Sequence, residues 1–141
     1  MNEVSFQAKF PTTATAITTT TTTNGTVHHL SSGSTLVLPT VLNNHGHAYD
    51  AISGRFTAPV SGTYFLLAST QSSPGAGSAD LRLVLNGVTV QEVSMGAPGQ
   101  SGSVHVVVHL RQGQRVWLES GGNSDYLSQA TAFGGFLVGR D

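Results

Sequence analysis

Phe56 to Phe65, reading FTAPVSGTYF, constrains this chain more than any other stretch. It reads as two extended segments, Ile52 to Thr57 and Thr63 to Thr70, joined by a short polar turn. Pro59 fixes its own φ and pushes Ala58 toward extended geometry, so the first strand ends there. Gly62 is read as the residue that lets the chain turn before Tyr64 and Phe65 enter a buried strand.

The flanking sequence repeats this logic. Val4, Phe6 and Ala8 alternate with Ser5, Gln7 and Lys9, which predicts a strand with one buried face. Leu81, Leu83 and Leu85 precede Asn86-Gly87 and then Val88 to Val93, a hairpin signature. Val104, Val106, Val108 and Leu110 share one face of a strand, and His105, Val107 and His109 share the other. Leu36 to Leu42 around Pro39, Val116 to Leu118 and Thr131 to Val138 complete the set. Roughly ten short strands with turn signals every ~10 residues predict an all-β, antiparallel ten-strand jelly-roll sandwich.

One segment breaks the rhythm. Residues 12–35 are Thr-rich, with six threonines in a row from Thr18 to Thr23. Threonine suits extended backbone, but such a run has no apolar face, so an exposed edge strand or ribbon is expected. Asn24-Gly25 reads as a hairpin turn, and Asn24-Gly25-Thr26 is also an N-glycosylation acceptor in a secreted chain.

Composition narrows the function. The 141 residues suit a single domain, 1–141, with charged residues at only 9 %, about a third of the ordinary share. A net charge of −1 with scattered Lys and Arg offers no footprint for nucleic acid. The absence of Cys removes disulfides, thiolate metal sites and a Cys nucleophile. No run approaches the ~18 apolar residues that span a bilayer, and the first residues do not resemble a signal peptide. No nucleophile elbow, paired carboxylates or phosphate-cradling loop appears, so an enzyme is not expected.

The ordered motifs carry a resemblance. Val4-x-Phe6-x-Ala8, the loop Asn43 to Asp50, and Ser53-Gly54-x-Phe56-Thr57-Ala58-Pro59-x-x-Gly62-x-Tyr64-Phe65 come first. Leu83-x-Leu85-Asn86-Gly87, Ser101-Gly102-Ser103-Val104, Gly113-x-x-Val116-Trp117-Leu118 and Phe133-x-Gly135-Phe136-Leu137 follow. Together they resemble the globular head of the complement C1q family, within the C1q and tumour necrosis factor superfamily. The resemblance spans residues 4 to 138. It implies a homotrimeric, secreted, non-catalytic head. Such a head is either a lectin-like pattern-recognition module of innate immunity, binding glycans or microbial surfaces, or a signalling or structural head binding a protein receptor.

Departures from the pattern matter too. Leu66 and Ala68 replace the aromatics usual after Tyr64, implying a repacked core or subunit interface. Some members hold calcium near the three-fold axis. No Asp or Glu lies between Glu92 and Glu119 here, so that site is expected to be absent, with no cofactor. No Gly-x-y collagen tract occurs in these residues, so a head-only chain or a fragment is expected.

For ligand binding, the candidates are His45, His47, Tyr49, Asp125 and Tyr126 on polar loops. Tyr126 either stacks on a sugar or anchors its own loop. For the trimer interface, the candidates are Tyr64, Leu66, His105, Val107, His109 and Phe136. His105 and His109 lie ~13 Å apart on an extended strand, so one chain cannot clamp a metal with both. Protonation of these histidines near about pH 5 to 6 is expected to loosen a trimer. His45-Gly46-His47 and His28-His29 lack a neighbouring carboxylate in sequence, and no metal site is assigned to them.

Overall fold

Alternation governs the central strand. Along β7 (Gly62–Gln71) Gly62, Tyr64, Leu66, Ala68 and Thr70 are buried, and the intervening side chains face outward. The computed structural model describes residues 3–10, 19–22, 25–75 and 78–141. Among them are β1 (Ser5–Lys9), β2 (Thr19–Thr22), β3 (Gly25–Leu30), β4 (Thr40–His45), β5 (Tyr49–Asp50) and β6 (Arg55–Thr57). After β7 come β8 (Ala79–Leu85), β9 (Val88–Met95), β10 (Ser101–Leu110), β11 (Arg115–Ser120), β12 (Ser124–Leu127) and β13 (Ala132–Arg140).

Two five-stranded antiparallel sheets form the sandwich. Their orders are β10-β7-β13-β1-β4 and β5-β6-β11-β8-β9. A third sheet, β12-β3-β2, contacts the sandwich through β12, whose Tyr126 bridges to Ser72. The jelly-roll expectation holds. The two large sheets hold the expected ten strands, and the three beyond them are those of the small sheet.

The core lies between the two large sheets. Phe6 stacks on Phe56 at 4.9 Å and on Tyr49 at 5.3 Å, and meets Phe133 edge-on at 4.9 Å. Leu66, Ala68, Leu81, Leu83 and Leu118 fill the space around these rings. Offset and edge-on ring contacts add to the burial itself.

The opening stretch departs from its sequence reading. Thr57 and Gly62 end and begin strands of different sheets, so FTAPVSGTYF is a crossover and not a hairpin. Ala58 is held by the β10–β11 turn, donating its N–H to Gln114 O and accepting from the Gly113 N–H. With Ala58 pinned there, Pro59 to Ser61 carry the chain across to the other sheet. Gly62 also has another reason than a tight turn. A Cβ there would run into the Gly139 carbonyl of β13. Close approach of two backbones demands glycine. The Asn86-Gly87 hairpin is as expected, with φ of 47° and 88° at its two central residues, the signs of a type I′ turn.

The Thr-rich segment is described only in part. Thr19–Thr22 forms the edge strand of the small sheet and pairs with β3, with Thr22 opposite Gly25. Asn24 and residues 12–18 lie outside the described residues. On β3, His28 is buried and stacks on Phe10 at 3.9 Å, and its Nε2 has no hydrogen-bond partner. Burial, reinforced by neighbouring His29, pushes its pKa down to about 4. Opposite it in register lies Tyr126, also buried. Because the unfolded chain binds this proton near the ordinary histidine value, stability falls as pH drops from about 6.5 toward 4. The loss from this one group is at most about 3 kcal/mol. Urea unfolding at pH 7 and pH 4.5 is expected to show the decline, and His28→Phe, which keeps the stack, is expected to flatten it. An equal decline in the variant would place the effect elsewhere.

Candidate functional site

The outer face of the β10-β7-β13-β1-β4 sheet is built from side chains that alternate away from the core. Register places Val107, Phe65, Phe136, Ser5 and His45 in one row across the five strands. The next row is His105, Leu67, Gly134, Gln7 and Asn43. Val107 is 63 % exposed, Val138 58 % and Phe136 49 %. Phe65 and Phe136 touch at 5.5 Å, and Phe65 lies 6.5 Å from the His105 ring. Most of the large exposed apolar side chains of the described residues lie on this sheet, and such a contiguous patch marks an interaction surface.

The interface candidates divide on this face. His105, Val107, His109 and Phe136 stand on it. Tyr64 and Leu66 do not, because their positions on β7 point inward. Both are fully buried within the protomer, and the Tyr64 hydroxyl donates to Val60 O at 2.7 Å. Leu66 and Ala68 are therefore core positions. His109 Nε2 lies 2.8 Å from an Asp141 carboxylate oxygen of the same chain, at the end of the face. Sequence reasoning missed Phe65, Leu67 and Val138. The signal for Phe65 and Leu67 was present, since Tyr64 to Ala68 is apolar on both faces of one strand.

The ligand candidates fare differently. His45 ends β4 at the edge of the apolar face, and His47 follows it in an exposed turn with φ of 52°. Tyr49 is interior. Its hydroxyl donates to Leu38 O at 3.2 Å and accepts from the Leu38 N–H at 3.1 Å. Tyr126 is fully buried, and its hydroxyl donates to Asp80 O. Burial pushes its pKa up to about 12, with Asp80 adding to the rise and a Ser124 hydrogen bond opposing it. Neither ring is available to stack on a sugar. Their phenols satisfy buried backbone groups, which loop position in the sequence does not reveal. Asp125 pairs with His29 Nδ1 at 2.6 Å on a shallow depression that Ser31, Ser78 and Asn123 also line. His45 and Asp125 thus belong to different sheets and form no joint site. Among the described residues no three His, Cys, Asp or Glu cluster closely enough to hold a metal ion.

Comparison with known proteins decides the family. The C1q domain profile matches residues 13–138. This chain belongs to the C1q domain family. Human Complement C1q tumor necrosis factor-related protein 3 is 32 % identical over 117 residues, covering 79 % of this chain and 47 % of that protein. Human Multimerin-2 is 33 % identical over 109 residues, covering 74 % of this chain and 11 % of that protein. The C1q domain here thus spans about half, or less, of the length of these curated relatives. In fold it is similar to the Globular Domain of Zebrafish Complement 1qA protein, with TM-score 0.68, 19 % identity and 99 % of both chains covered. It is also similar to Eiger TNF from S. frugiperda, with TM-score 0.71, 8 % identity, and 100 % and 96 % of the two chains covered. Both likenesses are of fold alone. No helix among the described residues is long and apolar enough to cross a membrane.

Proposed function

We propose that this C1q domain assembles as a homotrimer outside the cell and acts there as a non-catalytic head that binds a protein partner. The observation that carries assembly is the exposed apolar face of β10, β7 and β13. Leaving Val107, Phe136, Leu67 and Val138 in water is unfavourable by ~25 cal/mol per Å² of apolar surface. Three copies packed head to tail close a ring and cover that face in each. The family resemblance supplies the number three and the extracellular location.

The partner class follows from Tyr49 and Tyr126. The two rings that the sequence offered for stacking on a sugar, Tyr49 and Tyr126, are both interior. His45, His47 and Asp125 remain at the surface, but on separate elements. A receptor-type protein partner therefore fits better than the glycan or microbial-surface ligand of an innate-immune lectin. A glycan and bacterial-envelope array probed with the labelled protein is expected to stay blank. Saturable binding to a saccharide would restore the lectin-like reading.

A further inference from the structure

The strands of the small sheet are fastened to the sandwich unequally. β12 is tied by its own hydrogen bonds. Asp125 donates its N–H to Ser78 O at 2.9 Å, Ser73 donates to Asp125 O at 3.0 Å, and the Ser124 hydroxyl accepts the Asp80 N–H at 3.0 Å. β3 pairs with β12 and β2, and its main further contact is with the short 3-10 turn Ser128–Ala130. Just after β3 the chain is fastened again. The Ser31 carbonyl accepts the Ser120 hydroxyl at 2.6 Å, and Gly33 donates to Ser120 O at 2.8 Å. We propose that β2 and β3 form a flap that acid opens about Ser31, latched at neutral pH by the uncharged His28 ring stacked on Phe10. Opening parts β3 from β12 and uncovers the Phe10 ring.

The flap has little apolar hold of its own. β2 is four threonines. Val27 and Leu127, partners in register, are buried yet stand outside the main core cluster. A satellite cluster of this kind opens at lower cost than the core it adjoins. The aromatic contact of β3 is the His28–Phe10 stack, with rings 17° from parallel. His28 is buried in that stack, and its Nε2 has no hydrogen-bond partner.

No group around the ring compensates a proton on it. After burial, the cause of its lowered pKa is His29, a like charge when protonated. Asp125 pairs with His29 at 2.6 Å, and alternation sets both on the other face of the small sheet from His28. Tyr126, opposite His28, stays a neutral phenol because burial raises its pKa to about 12. On β1, Lys9 points to the outer face of its sheet with Ser5 and Gln7. β2 and the Ser128–Ala130 turn bear no ionisable side chain, nor do positions 11–18, 23 and 24 of the sequence. A proton on His28 in the closed flap is therefore a buried charge without a counter-charge, whereas the open flap hydrates it.

Hydrogen exchange followed by NMR tests the flap. With a value of about 4 when closed and the ordinary histidine value when open, the open population should rise about ten-fold from pH 7.5 to 5.5, and about seventy-fold by pH 4.5. Protection factors of the β3 amides, each rate taken against the intrinsic rate at the same pH, are expected to fall by those factors. They should lie below those of β7 at every pH. In low urea the β3 rates should hold constant while the β7 rates climb, because a local opening exposes little surface. Equal protection and equal urea dependence in β3 and β7 would overturn the flap, since only the whole fold would then be opening. His28→Phe, which keeps the stack and cannot be protonated, is expected to abolish the fall with pH. An equal fall in that variant would overturn the latch. Should the variant not fold, the His28 ring signal of the wild type decides: titration near 4 is expected, and titration near the ordinary value of about 6.5 would overturn the latch.

Discussion

Phe136→Asp is expected to turn the assembly into a folded single chain. Phe136 stands on the outer face of β13, half exposed, and its ring contact is with Phe65 on the same face. Removing it opens no cavity in the core, so the far-UV spectrum should keep its strand signature. In the assembly an aspartate there would be covered by an apolar neighbour without a partner charge. Such a lone buried charge costs on the order of 3–5 kcal/mol, which is roughly a thousand-fold in association at each contact. Sedimentation of the variant should give the mass of one chain at concentrations where the wild type is assembled. An assembled variant would show that β13 is not covered.

Phe6→Ala is expected to destabilise the protomer itself by about 3–5 kcal/mol. Phe6 is the common neighbour of Tyr49, Phe56 and Phe133, with ring centroids 4.9 to 5.3 Å away. It also lies on β1, which is paired on both sides by β13 and β4, so the cavity would not open at the sheet's edge. Urea unfolding in the Phe136→Asp background is the suitable measurement, because association then no longer adds to apparent stability. A loss under about 1 kcal/mol would mean that the ring cluster relaxes around the gap.

How much of this was legible in sequence depended on range. Asn86-Gly87 declared its turn because the requirement for positive φ is local to two residues. Strand alternation in β1 and β10 was readable for the same reason. FTAPVSGTYF was recognised as two strands about a turn, yet which sheet each strand joins is decided by β11 and β13, far along the chain. Gly62 illustrates the limit well. Its requirement comes from the Gly139 carbonyl, not from its own backbone angles. Tyr49 and Tyr126 sit in polar stretches and read as surface residues, while the backbone groups that satisfy their hydroxyls, at Leu38 and Asp80, lie 11 and 46 positions away.

Sedimentation equilibrium of the wild-type chain tests the central claim, that the apolar face of β10, β7 and β13 is covered by other copies of the same chain. The expected result at micromolar concentration is the mass of three 14.6-kDa chains. The mass of a single 14.6-kDa chain under the same conditions would contradict it.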